Sequence, residues 1–333
     1  MKEKLINSLE NVPYIGKDSY NELSKIIGEK LKTRMITCRE RERLYYELNI
    51  IKKTGAAKLF LFALNALKGF STDECCFLVK ENNCYINYLL RLTSVNPVQY
   101  GLPFELFFNS EREGFPRFCF YVKNGTKERL LNNIGDYYKE ARLIKGNDSN
   151  CRYFIDTAGK TKSDQENDGS TRTGALPSPS ADESAKRGLF EFDILEYKSN
   201  KIVGKDFSAD EIYNEAIRTV AYKPTILSMK PFEKIGEIND ILSSTDGKLI
   251  YQEQVIEILR KGCGFDPVTA DCIRKAICTK KPNFNDEIAE ILHNRYGADG
   301  DEFFKYLLEY GLYAVSEGYV IAKMKNDVIR EEE

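Results

Sequence analysis

Between residues 37 and 55 the chain reads TCRERERLYYELNIIKKTG, with Leu44, Leu48 and Ile51 spaced three and four apart among charged and polar positions. That period predicts an amphipathic helix. Thr37 and Glu40 have the separation of a capping box at its start, and Gly55 can close its end. Arg39, Arg41 and Arg43 fall on the polar side and are expected to be solvated. A second helix is predicted over 58–68, and strands near 74–79 and 115–122, where apolar residues are dense and aromatics common. The first half is therefore expected to mix α and β.

The pattern breaks at residues 157–188, where Ser, Thr, Gly, Asp and Lys dominate and Leu176 is the one large aliphatic residue. Such a composition buries too little apolar surface to offset the entropy of ordering, so a disordered linker or loop is expected. Beyond it, GLFEFDILEY (188–197) predicts a strand. Helices are expected from there on: Ser208 and Glu211 form a second capping box ahead of Ile212 and Ala216, and helical segments follow near 232–243, 250–261, 267–278, 285–295 and 301–313. Gly262 and Gly297 are placed as helix stops. No internal repeat of fixed period is present.

Composition narrows the class. At 333 residues and 42% hydrophobic content, the chain is long enough for two domains with buried cores. A formal charge of −2 supplies no global positive field, so binding to nucleic acid or an anionic membrane has to come from local patches. Nine scattered cysteines without a C-x-x-C pair, and a single histidine, argue against a zinc site. That histidine, His293, reads as a surface residue near a helix C-terminus, and no hydrolase triad can be built around it. The start of the chain lacks an apolar run of signal-peptide length, and LFLFALNAL (59–67) is too short to span a bilayer. The expectation is a cytoplasmic protein with reduced thiols.

The segment YQEQVIEILRKGCGFDPVTADCIRKAICTKKP (251–282) resembles the fingers region of the bacterial replicative C-family DNA polymerases, the DNA polymerase III alpha subunits. The matching positions are Tyr251 to Val255, Gly264, Ala270, Asp271, Ile273, Arg274, Lys275, Ala276 and Lys280 to Pro282. Five further stretches fit the same family in the same order. SYNELSKIIGEKLKTR and RERERLYYELNIIKKTGAAKLFLFALNAL look like the helices opening its palm, YLLRLTSVNPVQYGLPFELFFNSE like the next segment, LFEFDILEY like the palm's return strand, and YLLEYGLYAVSEGYVIAKM like the close of the fingers.

The resemblance implies an α+β, mostly helical fold: a nucleotidyltransferase-like palm remnant with a mixed β-sheet, followed by a helical fingers-like region. It divides the chain into an extension (1–18), a palm-like region (19–156), the linker (157–188), a return strand (189–205) and the fingers-like region (206–333), without the domains that flank palm and fingers in the family. It also implies two Mg²⁺ ions held by carboxylates. The family writes Pro-Asp-x-Asp-x-Asp where this chain, after Pro116, has Arg117, Cys119 and Tyr121, and the third aspartate survives as Asp193. A guanidinium, a soft sulfur and a neutral phenol are poor Mg²⁺ ligands, so no metal and no other cofactor is expected. The family's glycine-rich phosphate loop is replaced by FLVKENNC (77–84), which has no glycine.

These departures predict a catalytically inactive relative acting as a DNA- or replisome-binding pseudoenzyme, with Asp193 vestigial. DNA and replication proteins are the expected partners. Candidate phosphate contacts are Lys123, Lys127 and Arg129 in one patch and Arg274, Lys275, Lys280 and Lys281 in another. Two other readings stand beside it: a divergent active polymerase completed by a partner chain, and an interaction scaffold without a nucleic-acid role.

Overall fold

The computed structural model describes residues 12, 14, 16–71, 74–77, 80–111, 118–137, 142–145, 152–156, 189–197, 220, 223–278, 285–311 and 313–315. The linker at 157–188, the Ser208 and Glu211 pair, Arg117, Lys280 and Lys281 lie outside these residues. The chain divides into two units: residues 1–78, 85–98 and 112–199 form the first, and 79–84, 99–111 and 200–333 the second.

In the first unit, Asp18 caps helix α1 (Ser19–Leu31) by accepting the Asn21 N–H. Helix α2 (Cys38–Thr54) starts at the expected capping box, with Thr37 and Glu40 each accepting the other's backbone N–H at 3.2 and 2.7 Å. It ends at Gly55, whose φ of 73° is a left-handed stop that suits glycine. Helix α3 (Ala57–Ala66) buries most of its residues because its sequence, AKLFLFALNA, is apolar all round.

The five strands are β1 (Cys75–Phe77), β2 (Phe118–Lys123), β3 (Arg142–Lys145), β4 (Arg152–Asp156) and β5 (Leu189–Tyr197). They form one sheet in the order β1-β2-β5-β4-β3, in which β2 and β5 are parallel and the other neighbours antiparallel. The expected strands and mixed sheet are present; β3 and β4 were not foreseen. Alternation along the strands sets the core: Phe120 and Val122 of β2, Phe192 and Ile194 of β5, and Tyr153 and Ile155 of β4 are buried. Phe62 of α3 meets Phe120 and Phe192 edge-on, with ring centroids 5.9 and 5.6 Å away, so α3 covers this face. Helix α5 (Lys127–Tyr137), separated from α3 by a five-residue helix α4 (Tyr85–Leu89) and the first strands, is tied to α3 by Asn133, which donates to the Ala66 and Lys68 carbonyls.

Glu47 of α2 is fully buried, against the expectation of a wholly solvated charged face. Its two oxygens accept the Tyr85 and Ile86 N–H groups at 2.8 and 2.9 Å, capping α4, and Arg43 donates to it at 2.7 Å. Arg43 is thus an internal partner, whereas Arg39 and Arg41 are exposed as expected.

The second unit is helical: α6 (Pro224–Leu227), α7 (Gly236–Leu242), α8 (Gln252–Lys261), α9 (Pro267–Cys278), α10 (Asn285–Tyr296) and α11 (Ala298–Glu309). Ile238, Leu242, Val255, Ile258, Ile273 and Phe303 are among the residues that share its core. The left-handed turn after α8 falls on Gly264 (φ 79°) and not on Gly262, whose φ is −76°. The Phe265 and Gly264 N–H groups bond back to the Leu259 and Arg260 carbonyls and so close the helix end. Gly300 is required for a different reason: a Cβ there would meet the Leu292 carbonyl oxygen at 2.1 Å, where α11 leaves α10. His293 reaches Asp301 across the same corner at 3.0 Å and is exposed, as read from the sequence.

Candidate functional site

The site implied by the sequence lies on the sheet of the first unit. Cys119 on β2 stands opposite Asp193 on β5 in parallel register, and Arg152 on β4 stands opposite Asp193 from the other side. Positions 119, 193 and 152 therefore form one row across three strands. Two residues further along β2, Tyr121 is opposite Leu195. Because Phe120 and Val122 take the buried face, Cys119 and Tyr121 fall on the other one, where both are partly exposed.

A pair of Mg²⁺ ions needs several hard oxygen donors, with carboxylates to balance the charge. The row offers one carboxylate, a thiol and the arginine of β4; two residues along the strands, the phenol of Tyr121 and the carboxylate of Glu191 share its face by alternation. Two Mg²⁺ ions do not fit that donor set. Among the described residues no group of three His, Cys, Asp or Glu side chains is arranged to hold a metal ion.

The segment in place of the phosphate loop turns inward. Glu81–Asn83 form a 3₁₀ turn in which Glu81, Asn82 and Asn83 are buried, and Asn83 donates to the Pro103 carbonyl at 3.1 Å. Arg91 and Asp246 are the non-glycine residues with positive φ among the described ones, so this turn lacks the left-handed backbone of a phosphate nest.

The predicted cationic residues separate by environment. Lys123 closes β2 and Lys127 and Arg129 open α5, which puts the first patch at one corner of the sheet. Arg129 is held by Glu74 at 2.8 Å and covers the Phe70 ring at 3.9 Å, while the Lys127 ammonium lies 5.5 Å from the Tyr153 ring centre.

The second patch needs correction, because Arg274 is 4% exposed and cannot serve as a surface phosphate contact. Its Nε and Nη2 donate to Oδ1 of Asp271 at 2.9 and 2.8 Å, and its Nη1 donates to Gln252 at 2.8 Å. Asn109 donates to the other Asp271 oxygen at 3.4 Å. Lys275, one residue on, is exposed.

The YQEQV run has a structural explanation of the same kind. Gln252 accepts from Arg274; Glu253 accepts the Val315 N–H at 3.1 Å; Gln254 accepts the Ile250 and Tyr251 N–H groups and donates to Thr245 at 2.7 Å. Each polar side chain of the run anchors a different backbone or side-chain group of the second unit.

Residues 14–151 match the model of the bacterial DNA polymerase III alpha NTPase domain, and residues 213–299 match that of the bacterial DNA polymerase III alpha subunit finger domain. The chain belongs to the bacterial DNA polymerase III alpha family. Over 132 residues it is 27% identical to the DNA polymerase III subunit alpha of Borreliella burgdorferi, covering 38% of this chain and 11% of that protein. Over 125 residues it is 26% identical to the error-prone DNA polymerase of Corynebacterium glutamicum, covering 35% of this chain and 12% of that one. The DNA polymerase III subunit alpha of Staphylococcus aureus is 26% identical over 105 residues, 31% of this chain and 10% of the relative.

The matched part of the chain thus spans about a tenth of the length of these relatives. In this alpha-like chain β5 lies between the two matched ranges, so Asp193 is placed by strand register and not by the family match. No helix among the described residues is long and apolar enough to cross a membrane.

Proposed function

We propose that this polymerase-like chain works in DNA replication as a catalytically silent relative of the alpha subunit, in the cytoplasm, by binding DNA or replication proteins. The observation that carries the reading is the row at Asp193, where the register sets Cys119 and Arg152, and no second acid, opposite the aspartate. The sheet keeps its apolar face, built on Phe120, Val122, Phe192 and Ile194, which favours a palm remnant retained for packing after the metal ligands were lost. The inward 3₁₀ turn at Glu81–Asn83 supports the same reading, since its backbone does not form a cradle for a triphosphate.

Contacts with DNA are assigned to the corner formed by Lys123, Lys127 and Arg129 and to Lys275, through phosphates and without base specificity. The deciding experiment is primer extension on a primed template with all four deoxynucleotides, in Mg²⁺ and separately in Mn²⁺, with Asp193→Ala as control. No extension by either protein, with circular dichroism confirming the fold, is the expected result. Extension that disappears in Asp193→Ala sinks the proposal and makes the chain a divergent polymerase.

A further inference from the structure

The first unit carries an apolar groove that the polymerase reading does not use. It runs between α1, the turn at residues 32–37 and α2, and Ile27, Leu31, Ile36, Leu44 and Leu48 line it. Met35, on its rim, is 99% exposed, and Tyr45 is 66% exposed. Gly28 opens the groove wall on α1: a Cβ at that position would meet nothing within 4 Å. Glycine inside a helix costs about 1 kcal/mol relative to alanine, and neither φ nor a close contact calls for it here. The charged lining residues are Arg34 and Arg41, and no carboxylate is among them. Arg34 is steadied by stacking on Tyr88 with its Cζ 4.4 Å from the ring centre, and Arg41 is exposed.

We infer that this groove docks an acidic amphipathic segment of a partner protein, its apolar side chains seated between α1 and α2 and its carboxylates meeting Arg34 and Arg41. Charge complementarity selects the partner, since an apolar groove bordered by two arginines favours an apolar stripe flanked by acids and disfavours a basic one. The aliphatic lining argues against nucleic acid, which is gripped by polar, strongly positive surfaces with stacking aromatics, and Tyr45 is the one aromatic residue in the lining. This inference does not rest on the silence of the polymerase site, and the primer-extension result leaves it untouched.

The test uses the full chain and a fluorescent synthetic helical peptide of about four turns, with Leu at i, i+3, i+4 and i+7 and Glu elsewhere. A second peptide replaces Glu by Lys, and a mixed-sequence single-stranded oligonucleotide serves as competitor. Anisotropy is expected to give a dissociation constant of roughly 10–100 μM for the acidic peptide, and binding at least about tenfold weaker for the basic one. Met35→Glu, at a fully exposed position where no packing is lost, is expected to weaken the acidic peptide about tenfold, and Arg41→Glu about threefold, with unchanged circular dichroism. The inference is overturned if the acidic peptide does not bind, if both peptides bind alike, or if Met35→Glu binds like the wild type. Displacement of the peptide by the oligonucleotide likewise overturns it and assigns the groove to nucleic acid.

Discussion

Arg274 binds Asp271, three residues before it on α9, through two nitrogens that share one carboxylate oxygen at 2.9 and 2.8 Å, and both side chains are almost wholly removed from solvent. Removing one member of such a pair leaves a buried, uncompensated charge. Arg274→Met should lower stability by about 3–5 kcal/mol. The double variant Arg274→Met with Asp271→Leu should recover much of that loss, because no charge is then left buried. Urea unfolding of the two proteins checks the prediction. If Arg274→Met kept full stability, the side chain would have to be free for a ligand after all.

Glu47 offers a parallel case in the first unit. Glu47→Gln keeps the shape but gives up the charge-assisted bonds to the Tyr85 and Ile86 N–H groups and the ion pair with Arg43. A loss of about 2 kcal/mol is expected, read from the urea midpoint at unchanged slope.

Stability should fall on the acid side through identifiable caps. Burial works against the Glu40 carboxylate, yet hydrogen bonds from Thr37 and Asn96 outweigh it and hold its pKa below the ordinary value. The Ser71 N–H, with Arg129, does the same for Glu74, and Thr269 for Asp266. A carboxylate whose folded pKa is depressed adds stability that is present above its unfolded pKa and is lost as pH falls through the folded one. Unfolding free energy is therefore expected to decline as pH drops below the usual carboxylate range. Glu40→Gln should flatten that decline relative to the wild type; an unchanged acid limb would show that this cap does not couple to folding.

Two glycines should respond in opposite directions to alanine. Gly264 holds a left-handed φ of 79°, so Gly264→Ala should cost about 1 kcal/mol. Gly28 lies in a helix with open space around its Cα, so Gly28→Ala should add about 0.5–1 kcal/mol. Thermal melts of the two variants should shift to opposite sides of the wild type.

Rebuilding the acids should restore metal affinity before it restores activity. Cys119→Asp with Tyr121→Asp puts carboxylates on the open face of β2, one of them opposite Asp193. Mn²⁺ binding, followed by electron paramagnetic resonance, should tighten at least about tenfold over wild type. No gain would mean that the row is not a former metal site.

What was legible in the sequence was local and periodic. The capping box of Thr37 and Glu40, the stop at Gly55, and the strands around Phe120 and Phe192 each follow from neighbours a few residues away. β3 and β4 were missed because four or five residues carry too little alternation to stand out and are fixed by pairing with distant chain. Arg274 was misread as a surface cation, although a signal was at hand: Asp271 stands one helical turn earlier, at ion-pair spacing. Arg43 and Glu47, four apart, carried the same signal. The YQEQV run marked Gln252 without its role, and nothing in the sequence marks Asn109 or the groove beside Met35, because those contacts depend on how separate helices meet.

The position of β5 also bears on how the first unit is made. β5 is the last strand in sequence but the middle one in space, flanked by β2 on one side and β4 on the other. Until it docks, the β1–β2 and β3–β4 pairs share no edge, and the hydrogen-bonding rim of β2 stays open. The sheet is therefore of high contact order and completes late, only after residue 197 has left the ribosome. For that interval, the open edge beside Phe118–Lys123 is a template for pairing with other chains, and the docking of β5 closes it.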